Sequence, residues 1–83
     1  MRWQGQPEMT TGWTDTYRDF GLLTTTKTYQ GHKLVVEQCA ANGMYLAKVF
    51  IHTGREVYCR SAVDLVTAKK FALERAGWFP RRG

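Results

Sequence analysis

Residues 44–60, MYLAKVFIHTGREVYCR, decide the fold of this chain. Apolar side chains alternate with others over residues 45–51, and β-branched and aromatic residues are frequent there, which predicts a strand. Gly54 accepts positive φ without steric cost, so residues 52–55 are predicted to turn the chain. Residues 56–60 return as a second strand, and the stretch is predicted to form a β-hairpin.

A further strand is predicted before this hairpin, over residues 33–40, KLVVEQCA. The Asn42-Gly43 pair that follows is typical of a two-residue type I′ turn, because both central residues of that turn need positive φ. Such a turn sets a register in which Glu37 lies opposite Lys48, an opposite-charge pair that supports the alignment. One face of the sheet then holds the apolar side chains expected in the core, Leu34, Val36, Ala40, Tyr45, Val49 and Ile51. The other face holds Lys33, Val35, Lys48, Phe50 and His52.

The residues before this sheet divide into an arm and a strand. Residues 1–16 have no hydrophobic period and are dominated by Gly, Pro, Gln and Thr, so they are predicted to be a flexible N-terminal arm. Trp13 is expected to fold back on the sheet. Residues 22–29, LLTTTKTY, are rich in strand formers and are predicted to form an exposed edge strand with its hydroxyls in water.

The C-terminal part of the chain is predicted to be one helix. Residues 62–76, AVDLVTAKKFALERA, are good helix formers, Ser61 is the expected N-cap and Gly77 the expected left-handed C-terminal cap. Residues 80–83 are expected to fray. The predicted face toward the sheet consists of Leu65, Val66, Ala72, Leu73 and Ala76.

These elements predict a two-layer α+β fold. An antiparallel β-meander of three to four strands packs against one C-terminal α-helix, in the order β-β-β-(β)-α, and forms a single domain over residues 17–79. A chain of 83 residues has room for one modest core. It contains no long apolar run and no signal peptide pattern, so we expect a cytoplasmic protein that does not enter a membrane.

The residues that usually perform chemistry form no motif. The acidic residues are scattered, each glycine stands apart from any phosphate-binding loop, and Cys39 and Cys59 match no zinc pattern. His32 and His52 are expected to be solvated turn residues at the same end of the sheet. The sequence therefore predicts a protein that is not an enzyme and that needs no metal or cofactor.

The charge balance points to a polyanionic partner. Twelve Lys and Arg against seven Asp and Glu give a net charge of +5, which favours contact with DNA or RNA. A sheet face with basic residues around a central aromatic ring can bind phosphates and stack a base. The predicted nucleic-acid-binding residues are Lys33, Lys48, Phe50, Arg55 and Arg60. A second basic patch is predicted at the end of the helix, from Lys70, Arg75, Arg81 and Arg82.

Residues 43–51, 54–57 and 68–72 together resemble the sheet and last helix of a double-stranded-RNA-binding domain. In that family a Lys-Lys pair opens the last helix and contacts phosphates, whereas Lys69-Lys70 lie in mid-helix here and the family's first helix is absent. The sheet and C-terminal helix are also similar in outline to integrase-type DNA-binding domains. Both resemblances imply nucleic acid as the ligand.

A protein partner or a homodimer is the alternative for the same face. Phe50, Val35, Leu46 and Cys39 would form an apolar strip there, with Val57 as a further candidate member, and exposed apolar strips usually mark an interface. The two alternatives differ at Lys48. Nucleic-acid binding needs this lysine to be accessible, whereas a dimer would keep it paired with Glu37 at the rim.

Overall fold

The computed structural model describes residues 12–78, which form an antiparallel sheet with one helix across it. The strands follow one another across the sheet in chain order and are antiparallel throughout. The elements are β1 (Thr14–Tyr17), β2 (Leu23–Tyr29), β3 (His32–Gln38), β4 (Tyr45–Phe50), β5 (Glu56–Ala62) and α1 (Leu65–Ala76), with a short 3-10 helix (Asp19–Gly21) between β1 and β2. The predicted two-layer α+β fold is confirmed, with five strands where three to four were predicted. Within residues 12–78, no helix has the length and apolar character that crossing a membrane requires.

The additional strand comes from the segment predicted to be an arm. Thr14 pairs with Thr26 and Tyr17 with Leu23, so β1 is an edge strand and β2 is an inner one. The prediction of an edge strand with wet hydroxyls over residues 22–29 is therefore wrong at Thr25, whose side chain is fully buried on the helix side. Residues 1–11 of the predicted arm and the predicted frayed residues 80–83 lie outside the described residues.

The connection between β3 and β4 differs from the predicted turn. The Cys39 N–H donates to the Met44 carbonyl at 2.7 Å, which encloses four loop residues instead of two. Asn42 accepts a hydrogen bond from the Met44 N–H on its side-chain oxygen, and only Gly43 of the pair has positive φ. The register is consequently shifted by two residues, with Leu34 opposite Val49. Because side chains alternate with a period of two, this shift leaves the residues within β3 and β4 on their predicted faces. The prediction is wrong at two core residues beyond the strand ends, since Ala40 is exposed and Ile51 lines a depression on the opposite face.

Helix α1 contacts the sheet through alanines. Ala68, Ala72 and Ala76 are fully buried against a core that includes Leu34 and Val49. Their small side chains occur at every fourth residue, on one side of the helix, and allow it to lie close to the strands. The predicted helix face is wrong at Val66, which is 55% exposed, because the buried stripe lies further round the helix than the larger apolar residues indicated.

Both predicted caps of α1 are also corrected. Ser61 belongs to β5, and the N-cap is Asp64, whose carboxylate accepts a hydrogen bond from the Thr67 N–H at 2.7 Å. Gly77 has φ of −67° and continues the right-handed conformation, so it is not the left-handed cap that was expected. Trp13 does fold back as predicted. It packs against the core cluster, and the Lys69 ammonium lies 5.2 Å from its ring.

Candidate functional site

The sheet face opposite α1, here called the outer face, contains an open depression of about 580 Å³. Its floor and walls come mainly from β2, β3 and β4, and its rim comes from the β2–β3 and β4–β5 turns. Because side chains alternate along the strands, Lys33, Val35, Lys48 and Phe50 point away from the helix, on the face where the sequence predicted them. The residues that line the depression include Lys33, Val35, Glu37, Lys48, Phe50 and His52.

The strand register sets the pattern of charge and apolar surface on the outer face. Lys33 lies directly opposite Phe50, and Val35 lies opposite Lys48. Each lysine on one strand therefore has an apolar partner on the next, and directly opposed side chains in an antiparallel pair are in contact. Val35 is buried at the floor, Phe50 is half-buried, and Lys33 is exposed. The depression thus brings together an ammonium group and an aromatic ring, as the sequence predicted.

One of the two outer-face lysines is paired. The Lys48 Nζ lies 3.0 Å from the Glu37 Oε1, and both side chains are partly exposed. The pair is diagonal across β3 and β4, because the two-residue register shift places Glu37 opposite Leu46. The hydrogen bond from Lys48 to Glu37 raises the pKa of Lys48, against the opposite effect of its partial burial. Glu37 therefore offsets part of the positive charge that Lys48 brings to this face.

The β4–β5 turn contains two further basic residues, His52 and Arg55. The Ile51 N–H donates to the Arg55 carbonyl at 3.0 Å, and the Gly54 N–H donates to the Ile51 carbonyl at 2.8 Å. These hydrogen bonds hold a tight turn in which His52 lines the depression, whereas Arg55 is exposed and is not one of the lining residues. His32 differs from its prediction as a solvated residue. It is 1% exposed and lies on the sheet face that also holds Leu34.

Arg60 does not belong to the outer face, which corrects its prediction as one of the residues there. It lies opposite Ala47 and therefore points to the helix side of the sheet, where its guanidinium is 4.0 Å from the centroid of the Phe71 ring. Alternation along β5 contains this information, because Tyr58, Arg60 and the buried Ala62 must share one face. The sequence reasoning grouped Arg60 with the other basic residues by proximity in the chain.

The predicted second basic patch is divided by the structure. The Arg75 guanidinium lies over two rings, 4.3 Å from the centroid of Tyr58 and 4.0 Å from that of Trp78. Lys70 is exposed on the helix and does not line the depression around Arg75. Arg81 and Arg82 lie outside the described residues. Arg75 instead joins Arg60 in an arginine–aromatic cluster, which consists of Tyr58, Arg60, Phe71, Arg75 and Trp78.

The sequence reasoning missed the aromatic members of this cluster. Phe71 and Arg75 in α1 and Trp78 just after it are spaced at i, i+4 and i+7. Residues with this spacing lie on the same side of a helix. Tyr58 alternates onto the same side of the sheet as Arg60. The helical spacing in α1 and the alternation in β5 were the sequence signals for this cluster. Each signal describes one element only, and neither indicates that α1 and β5 are in contact.

The described residues include two cysteines and several acidic residues but no cluster suited to a metal ion. No three His, Cys, Asp or Glu side chains within residues 12–78 are grouped so that they could hold a metal ion. Cys39 and Cys59 are both free thiols. Comparisons with protein-family models, with curated proteins and with solved structures found no match to this chain. The likeness to double-stranded-RNA-binding domains therefore stays a resemblance.

Proposed function

We propose that this protein is a small non-enzymatic domain that binds single-stranded nucleic acid on its outer face. The observation that supports this proposal most is the opposition of Lys33 and Phe50 inside one open depression. Nucleic-acid-binding sheets of this kind combine cationic groups for the phosphates with an aromatic ring for a base. The cellular location stays the predicted one, the cytoplasm.

Each residue of the depression has a distinct role in this proposal. Lys33 in the depression and the exposed Arg55 of the β4–β5 turn contact phosphates. Phe50 stacks on one base, with Val35 as the apolar floor beside it. A base must leave its own stack to lie on Phe50, which favours a single strand over a duplex. The proposed contacts involve phosphates and the face of a base, and none is a hydrogen bond to a base edge. The proposal therefore covers both DNA and RNA and predicts weak sequence preference.

A salt titration tests the proposal. Binding of fluorescently labelled (dT)12, the matching RNA and a duplex is measured from low to high salt for the wild type and for Lys33→Ala. We expect a linear loss of affinity in log salt, with a slope shallower by about 0.7 in Lys33→Ala, since one phosphate contact is lost. Lys70→Ala is the matched control, because it removes the same charge from the exposed side of α1.

Two results would overturn this reading. One is a wild type that does not bind any of the three ligands at low salt. The other is an equal change of slope in Lys33→Ala and Lys70→Ala, because this would show that net charge alone drives the association. Phe50→Ala supplies an independent check. It should weaken single-strand binding by roughly 1–3 kcal/mol, the usual contribution of one stacked base.

A protein partner or a second copy of this chain is the other candidate for the outer face. The ion pair between Lys48 and Glu37 favours it, because pairing reduces the positive charge while Val35, Phe50 and Ile51 supply apolar surface. Sedimentation at several protein concentrations distinguishes the cases. A mass that rises with concentration in the wild type and stays monomeric in Phe50→Glu would support self-association, and a monomer throughout would exclude it.

A further inference from the structure

The arginine–aromatic cluster lies on the helix side of β5, away from the outer face. Tyr58 and Arg60 project from β5, and Phe71, Arg75 and Trp78 come from α1 and the residues after it. Together with Glu74 they surround a depression of about 390 Å³. This volume falls in the range of small-ligand sites in proteins, at its lower end.

Both arginines of the cluster keep their hydrogen-bonding edges available. The Arg75 guanidinium is stacked over the rings of Tyr58 and Trp78, and the Arg60 guanidinium is stacked over Phe71. Stacking occupies the faces of a guanidinium and leaves its N–H groups in the plane. Within the described part of the chain neither arginine forms an ion pair, although Glu74 lines the same depression. The cluster therefore holds two guanidinium groups that have no anionic partner within the described residues.

The chemistry of these groups selects a phosphate with a planar ring attached. A guanidinium fork matches two oxygens of a phosphate, and stacking has already restricted the side-chain freedom that binding would otherwise cost. Trp78 is 73% exposed, so a large part of its indole ring is open for a planar group beside the arginines. A carboxylate would satisfy the forks but would leave this aromatic surface uncovered.

We propose that the arginine–aromatic cluster is a second nucleic-acid subsite that takes one nucleotide. Arg60 and Arg75 bind its phosphate, and Trp78 stacks on its base. The inference rests on the proposed function, since it takes nucleic acid as the ligand. Strand β5 connects the two subsites, because Lys48 lies opposite Cys59 on the outer face while Arg60 projects to the helix side. A single strand that passes over this sheet edge reaches both.

NMR of the whole protein during a titration with (dT)12 tests this inference. The signals to follow are the Nε–H groups of Arg60 and Arg75, the indole N–H of Trp78 and the backbone amides of Lys33 and Phe50. We expect both sets of signals to move and to saturate at the same ligand ratio. A length of twelve lies within the range of about 4–16 nucleotides that single-strand-binding domains of similar size cover.

The two sets of signals separate this inference from the proposed function. Movement of the Lys33 and Phe50 signals alone overturns the second subsite and leaves the outer face intact. Movement of the cluster signals alone supports the cluster and overturns the outer-face proposal. If neither set moves, both fail. If poly-glutamate moves the arginine signals and (dT)12 does not, the cluster is a carboxylate site and the inference is wrong.

Variants of the cluster provide the second measurement. Arg75→Lys keeps the charge but loses the fork and the stacking, so we expect (dT)12 to bind about fivefold more weakly. Lys70→Arg is the matched control on the same helix and should bind as the wild type does. Trp78→Ala should weaken binding roughly fivefold to a hundredfold, with an unchanged melting temperature because the ring is mostly exposed. Wild-type affinity in both cluster variants would overturn the inference.

Discussion

The ion pair on the outer face offers the sharpest test of the nucleic-acid proposal. Glu37→Gln removes the carboxylate that lies 3.0 Å from the Lys48 ammonium and keeps the size and polarity of the side chain. Both residues are only partly buried, with side-chain exposures of 24% for Lys48 and 35% for Glu37, so losing the pair should cost less than about 1 kcal/mol of stability. The variant therefore changes the charge of the face while the fold persists.

The expected gain in binding follows from one additional phosphate contact. Once Lys48 is free of Glu37, it can neutralise a phosphate, which steepens the slope of log affinity against log salt by about 0.7 for a single strand. At about 1 M salt this electrostatic contribution vanishes, and the variant and the wild type should bind equally well. At about 0.1 M salt the added slope makes the variant bind roughly fivefold more tightly than the wild type, a difference of about 1 kcal/mol in binding free energy. We thus expect Glu37→Gln to bind single-stranded nucleic acid more tightly than the wild type, with a gain that decreases as the salt concentration rises.

Fluorescence anisotropy with labelled (dT)12 over a series of salt concentrations measures this effect. Asp15→Asn is the matched control, because it changes the net charge by the same amount at an exposed residue of the edge strand β1. An identical gain in both variants would show that only the total charge matters. An unchanged or shallower slope in Glu37→Gln would refute the reasoning that Lys48, once freed from Glu37, contacts a phosphate.

Three further predictions concern the fold. Ala72→Leu should lower the free energy of unfolding by about 1–3 kcal/mol, because it overpacks the fully buried contact between helix and sheet. The melting temperature should fall by roughly 5–20 °C. The control Lys70→Leu, on the exposed side of the helix, should change the free energy of unfolding by no more than about 0.5 kcal/mol. The hydrogen bonds from Thr67 lower the pKa of Asp64, so the stability from this cap is present above its ordinary pKa of 3.8 and is lost as the pH falls through the lowered value. Thermal melts should accordingly show Asp64→Ala less stable than the wild type at pH 7, and the difference should shrink in strong acid. Phe20 is 98% exposed at φ of 64°, so Phe20→Gly should stabilise the protein by up to about 1 kcal/mol in urea unfolding, and a clear loss of stability would show that the ring has a partner.

The predictable part of the candidate site came from alternation along the strands. Lys33, Lys48 and Phe50 occupy the predicted outer face even though the turn at Asn42-Gly43 was predicted with the wrong length. An error of two residues in register preserves the face of each side chain, so the prediction of the face tolerates the error in the turn. Glu37 and Lys48 form the predicted ion pair even though they are diagonal neighbours and not directly opposite each other. Their long side chains can span the diagonal distance between adjacent strands.

The sequence by itself determined the class of fold, the strands over residues 23–62 and the side of the sheet on which most residues lie, because these depend on local periodicity. Only the tertiary structure decided which helix face is buried and where β1 pairs. Alanine is a weak hydrophobic signal, yet Ala68, Ala72 and Ala76 form the contact because small side chains let α1 approach the sheet. The meeting of Arg60 with Phe71 and of Arg75 with Tyr58 depends on how α1 lies across β5. No periodicity within one element contains the relative position of two elements, since packing between them determines it.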